Sequence, residues 1–148
     1  MFEKYTGKAR RVIFWARSDA GEVGSPSIET EHILLGLLRE DKALSHRLLH
    51  GETDVEDIRS EIDSHTLKRE KIPTSNDMPV SDECKHVFGY AAEEAEGMSH
   101  TYIGTEHLLL GLLREEKSFA AELLRERGLR LDGVRETLRR GDLNQPGP

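Results

Sequence analysis

Disulfides are excluded at once: the chain of 148 residues holds a single cysteine, Cys84. A lone thiol suits a reducing compartment. Nothing in the first twenty residues, MFEKYTGKARRVIFWARSDA, is apolar for long enough to act as a secretion signal. No run elsewhere approaches the roughly 18 apolar residues of a membrane span. These absences lead us to expect a soluble, intracellular, cytoplasmic protein with no membrane role. Aromatics are scarce too, at 5% of residues, so the core must be built from aliphatic side chains. Basic residues are the minority, 21 against 28 acidic, for a formal net charge of −7. That balance excludes a nucleic-acid binder, which needs a net basic face. It favours partners that are not polyanions. No G-x-x-x-x-G-K-[ST] phosphate loop occurs: Gly7-Lys8 is followed by Ala9 and lacks the upstream glycine. No stretch alternates polar and apolar residues with a period of two, so no sheet is expected.

What the chain does contain is a repeat. Residues 30–42 read TEHILLGLLREDK and residues 105–117 read TEHLLLGLLREEK, an offset of 75. Only Ile33/Leu108 and Asp41/Glu116 differ. Such a match marks a tandem duplication. The acid excess is duplicated with it, because residues 1–66 and 80–148 each carry 9 Lys+Arg and 13 Asp+Glu.

Helical periodicity dominates both copies. Ala9, Val12, Ile13, Ala16 and Ala20 are spaced for one helix face, as are Cys84, Val87, Phe88, Ala91 and Ala95. With Thr6 and Ser81 as N-caps, opening helices are predicted over 6–22 and 81–97. Thr30 and Thr105 are then expected to cap second helices whose leucines cover most of the circumference, as befits a buried element. Gly36 and Gly111 sit inside them at a cost of about 1 kcal/mol each. A close helix crossing would account for that cost. Third helices are expected near 42–50 and 117–127, and fourth helices starting at Asp54 and Asp132. The expected fold is all-α: eight helices, two four-helix units related by a pseudo-twofold axis. Boundaries fall at 1–66, a linker at 67–79, a second unit at 80–140, and a disordered tail at 141–148.

The doubled TEH[IL]LLGLLRE, behind helices opening FEKYTGKARRVI and VSDECKHVF, resembles the Clp N-terminal double repeat of ClpA- and ClpC-type AAA+ unfoldases, over nearly the whole chain. The resemblance implies a non-enzymatic module of the Clp protease–chaperone system. It would bind adaptor proteins and protein substrates, need no cofactor, and be monomeric in isolation. In ClpC-type members the module also recognises proteins phosphorylated on arginine.

Four positions match that family's phosphoarginine sites: Thr6, Glu31, Ser81 and Glu106. A carboxylate can pair bidentately with the guanidinium, while a hydroxyl and free amides at a helix start can hold the phosphate. The plainer reading is that the glutamates favour their helix dipoles and that Thr6 and Ser81 are simple caps. Up to two such sites are expected, the second copy binding at least as well. The loop before its second helix, SHTYIG, stays near the family pattern, while GSPSIE in the first copy departs from it. The resemblance also places a hydrophobic groove at Phe2 and Val80, where family members commonly carry aromatics; each could equally be a hydrophobic staple. No cysteine or second histidine stands at helical ligand spacing from His32 or His107, so no metal site is expected. Cys84 reads as a small core residue. Of Phe14 and Trp15, adjacent on one helix, one should lie at the surface. An alternative function is a stand-alone regulatory paralogue that binds adaptors without recognising phosphoarginine.

Overall fold

A computed structural model of the chain describes residues 2–73 and 77–144, with side chains through Gly141. It consists of eight helices: α1 (Gly7–Glu22), α2 (Thr30–Glu40), α3 (Lys42–Leu48), α4 (Gly51–His65), α5 (Asp82–Gly97), α6 (Thr105–Arg114), α7 (Phe119–Glu126) and α8 (Leu131–Asn144). No strand occurs among the described residues. α8 carries the backbone to Asn144, past the expected start of a tail at Gly141, and residues 145–148 lie outside the described residues. The fourth helices begin at Gly51 and Leu131, ahead of Asp54 and Asp132. Asp54 lies one turn inside and reaches back to accept the His50 amide at 2.8 Å.

The leucine-rich helices are central. Leu34, Leu37 and Leu38 of α2, and Leu109, Leu110, Leu112 and Leu113 of α6, are buried, with only Leu35 partly so. Each such side chain contributes about 1.5–3 kcal/mol on burial. α2 lies across α1, and α6 across α5. The crossings pass over the two mid-helix glycines. A Cβ on Gly36 would sit 2.6 Å from the Val12 carbonyl oxygen, and one on Gly111 would sit 2.5 Å from that of Val87. Backbone cannot retreat as a flexible side chain can. Gly111→Ala should gain about 1 kcal/mol of helix propensity but lose up to about 3 kcal/mol to overpacking. We expect a net loss of about 2 kcal/mol. Urea unfolding tests this, and stability equal to the parent would refute the backbone-contact argument.

The two units exchange their leading segments. Ile103 donates its amide to Lys4 (2.9 Å) and accepts from Thr6 (3.0 Å); Ile28 likewise donates to Pro79 and accepts from Ser81, both at 2.9 Å. These are equivalent positions 75 residues apart, so the segment before α1 lies on the loop before α6, and the segment before α5 on the loop before α2. Val80 is thereby the counterpart of Tyr5. The opening helices also end alike. Ser25 N bonds to Ala20 O and His100 N to Ala95 O, each after a residue of positive φ, Gly24 (73°) and Ser99 (59°). Both ends are Schellman turns.

Each unit holds a carboxylate among arginines. Glu94, 6% exposed, takes Arg135 through both oxygens (2.8 and 2.7 Å) and Arg114 at 3.1 Å. Arg135 in particular pulls its pKa below the usual carboxylate range. In the first unit the position is Asp19, one methylene shorter, facing Arg39 and Arg59. Burial raises its pKa, Arg39 and Arg59 only partly offset that, and Arg59 Nε is buried without a partner.

Candidate functional site

Thr6 and Ser81 occupy their expected places. Thr6 Oγ1 accepts the Ala9 amide and Ser81 Oγ accepts the Cys84 amide, both at 3.1 Å. Thr30 and Thr105 do not cap α2 and α6. The caps are Glu29 and Gly104, and the reason is the histidine of the TEH motif. His32 Nδ1 accepts the Glu29 amide at 2.9 Å, and His107 Nδ1 accepts the Gly104 amide at 2.8 Å. An imidazole thus takes the reciprocal role that Glu or Gln fills in a capping box. Burial pushes the His32 pKa down to about 4, which keeps its ring a neutral acceptor. The threonine hydroxyls are left to join the repeats. Thr105 Oγ1 donates to Asp41 Oδ2 at 2.6 Å, and Thr30 Oγ1 accepts from Ala120 N at 3.5 Å.

Because the leading segments are exchanged, the cleft beside Thr6 is composite. Thr6 of the first repeat and Glu106 of the second line one cavity of about 680 Å³. Its lining also includes Lys8, Arg11, Asp41, Arg47, His100, Tyr102 and Gly104. The start of α1 supplies backbone amides and Lys8 at one end, where an anion is favoured. Glu106 and Asp41 supply carboxylates for a cation. Arg11 is already held by Glu40 at 2.7 Å, and Arg47 Nη2 donates to Thr137 O at 2.8 Å. Tyr102, 38% exposed, stacks on His100 at the rim. A Cβ at position 104 would collide with Glu106 Oε1. The glycine is what lets this carboxylate fold back over the start of α6.

The sister arrangement of Ser81 with Glu31 has a different character. Lys8 becomes Glu83, Arg47 becomes Glu122, Tyr102 becomes Ser27 and Gly104 becomes Glu29. Burial raises the Glu31 pKa, and Glu29 and Glu83 push it further. Burial likewise raises that of Glu83, with Glu115 and Glu29 adding. The cavity that Glu29 and Glu31 line opens toward Pro26, His65, Thr66 and Arg69 and does not include Ser81. A carboxylate whose folded pKa lies above its unfolded value makes folding less favourable as pH rises through that range. Glu31→Gln should therefore raise the melting temperature at pH 7 and leave it unchanged below about pH 4, where both states are protonated. Thermal melts at the two pH values check this; a lower melting temperature at pH 7 would contradict it.

The remaining expected positions are also placed. Phe2 makes edge contacts with Tyr5 (4.8 Å) and Phe88 (5.5 Å), and Val80 is half-buried against the same core. Phe14 is 50% exposed, whereas Trp15 is half-buried under Arg39. Cys84 is buried, its Sγ donates to Ile28 O at 3.3 Å, and burial pushes its pKa up to about 12. It is a core thiol, not a nucleophile. No group of three or more His, Cys, Asp or Glu side chains is gathered as for a metal among the described residues. No helix among them is long and apolar enough to cross a membrane. Among the lining residues that sequence reasoning missed are Lys8, Asp41, Arg47 and Tyr102. The one available signal was divergence between the copies: three of these positions change charge or lose an aromatic ring at the same 75-residue offset.

The sequence model of the Clp repeat (R) N-terminal domain matches residues 4–127. The chain is 38% identical over 136 residues to the ATP-dependent Clp protease ATP-binding subunit ClpA homolog of Guillardia theta, covering 91% of this chain and 16% of that protein. It is 34% identical over 137 residues to the negative regulator of genetic competence ClpC/MecB of Bacillus subtilis, covering 92% of this chain and 17% of that protein. The chain thus spans about a sixth of the length of the curated relatives it matches. Among solved structures, the N-terminal domain of the ClpD chaperone from Arabidopsis thaliana overlays with a TM-score of 0.67 at 28% identity, covering 96% of this chain and 97% of that one. With sequence and fold in agreement over nearly its whole length, the chain belongs to the Clp repeat N-terminal domain family.

Proposed function

We propose that this chain is a non-enzymatic binding module that receives adaptor proteins and protein substrates for a Clp-type unfoldase. In this reading it recognises arginine-phosphorylated segments in the composite Thr6–Glu106 cleft. The observation that carries the reading is the pairing of opposite poles in one cavity: α1 amides and Lys8 against Glu106 and Asp41. Phosphoarginine has a dianionic phosphate on a cationic guanidinium, so it needs both poles within one side chain's length. Phosphoserine has nothing for the carboxylates and should bind far more weakly.

The Ser81–Glu31 surface is not a second phosphate site in this reading, because Glu29, Glu31 and Glu83 surround it with negative charge. Calorimetry with free phosphoarginine tests the proposal. The expected result is one site per chain and no comparable heat with phosphoserine. Equal binding of the two, or none of either to folded protein, would leave adaptor docking without phosphoarginine recognition as the function.

A further inference from the structure

The linker between the two repeats does something specific. After α4 it runs back across the end of α1. Arg69 N donates to Val23 O at 2.9 Å and Ile72 N to Gly21 O at 2.8 Å. A Cβ on Gly24 would stand 2.8 Å from the Arg69 carbonyl carbon, so main chain lies on main chain there. Lys71 closes the contact on Glu22 at 3.1 Å. The first repeat therefore binds an extended, basic segment, and its ligand is part of the same chain.

The second repeat has the same turn, and among the described residues no segment crosses it. Gly21, Val23 and Gly24 correspond to Glu96, Met98 and Ser99, and the two Schellman turns match bond for bond. Gly21 and Gly24 are buried, whereas Glu96 and Ser99 are exposed. The Glu96 and Met98 carbonyls accept no bond from another segment among the described residues. An open groove of about 720 Å³ runs along Glu96 and Ser99, with Ala92, Ala95 and Ile103 in its lining and Lys4 and Tyr102 also along it; Met98, between them in sequence, lines the Thr6–Glu106 cavity.

We propose that this groove at the end of α5 binds an extended, basic segment of a partner protein through main-chain hydrogen bonds to the Glu96 carbonyl inside it and to the Met98 carbonyl on the matching turn at its border. Residues 69–72 are its internal template. Extended peptides joined this way take affinity from backbone bonds and selectivity from alternate side chains. The segment should be cationic. In the template Lys71 meets Glu22, and on the second repeat the acid stands one position earlier, at Glu96. His100 and Tyr102 line both this groove and the Thr6–Glu106 cleft. A segment in the groove would thus lead directly to that cleft, although this proposal does not depend on phosphoarginine binding there.

The probe is a capped peptide of the template sequence, Leu-Lys-Arg-Glu-Lys-Ile-Pro, titrated into ¹⁵N-labelled protein. Saturable shifts are expected at Glu96 and at residues 98–102. N-methylation of the peptide at the residues corresponding to Arg69 and Ile72 removes both donors and should weaken binding about tenfold or more. Glu96→Lys, at an exposed position, should also weaken it while leaving the fold and phosphoarginine binding unchanged. No saturable shift in this region, or undiminished binding of the N-methylated peptide, would overturn the proposal. Shifts confined to Gly21–Ser25 would also do so, because the peptide would then merely exchange with the linker. Concentration-dependent dimerisation that the peptide suppresses would assign the groove to a second copy and equally refute it.

Discussion

Glu106→Ala is expected to weaken phosphoarginine binding by roughly ten- to a hundredfold, and Glu31→Ala to leave it nearly unchanged. A hydrogen bond to a charged group contributes about 1.5–3 kcal/mol, and each 1.4 kcal/mol is a factor of ten in affinity. Glu106 is positioned for such a contact because Gly104 leaves space for its side chain, and it shares a cavity with the start of α1. Glu31 follows Glu29 instead, whose carboxylate takes the Ser27 hydroxyl. Electrostatics then separates the clefts further. Two unit charges about 4 Å apart interact by about 1 kcal/mol in water and about 4 kcal/mol near a protein surface. Exchanging Lys8 for Glu83 and Arg47 for Glu122 reverses the sign of that interaction with a phosphate. The Ser81 cap hydroxyl, though retained, is a weaker effect than two charge reversals. Calorimetry of both variants, with circular dichroism to verify the fold, decides the matter. Equal losses in the two variants would mean that two sites operate; a loss only with Glu31→Ala would invert the assignment.

Much of this fold was legible in the sequence because the repeat carries its own alignment. Thr6 and Ser81 cap where hydroxyls before an apolar helix face should. Gly36 and Gly111 mark crossings, since no other residue admits a carbonyl oxygen that close. The caps of α2 and α6 were misplaced by one residue for a definite reason. A threonine at a helix start is ordinarily a cap, and only tertiary structure shows Thr105 spent on Asp41, 64 residues away. The sequence offered Thr6 and Glu106 as candidates but not the cavity they share. That Thr6 shares a cavity with Glu106 and not with Glu31 follows from Ile103 lying on Lys4 and Thr6, a contact across the repeats that periodicity cannot encode. Once the pairing is known, the intact SHTYIG loop and the Thr6 cap belong to the same cleft, and the departures in GSPSIE belong to the other.

The largest expected effect on stability lies away from the cleft, at Glu94. Its side chain is 7% exposed and holds Arg114 and Arg135, which are 24% and 29% exposed. Removing one partner of a buried pair costs about 3–5 kcal/mol. The arginines here keep some contact with water, so Glu94→Gln should cost about 3 kcal/mol, near the lower end. The sign with pH follows from its depressed pKa. This stability is present above the unfolded carboxylate value of about 4.3 and is lost as pH falls through the lower folded value. Glu94→Gln should therefore be most damaging at pH 7, with the deficit shrinking in acid. Asp19 has the opposite sign: its folded pKa is raised by burial, so its carboxylate weighs against folding as pH rises through that range. Lengthening it is expected to help. Asp19→Glu would bring the carboxylate toward Arg59, whose Nε lacks a partner, and convert the first cluster toward the geometry of the second. A gain of about 1 kcal/mol is expected, the contribution of one added hydrogen bond. Urea unfolding of both variants at pH 7 and pH 4 measures the four differences. If Asp19→Glu destabilises the protein at pH 7 as much as Glu94→Gln does, the two clusters are not versions of one device, and the duplication has kept the arginines for different purposes.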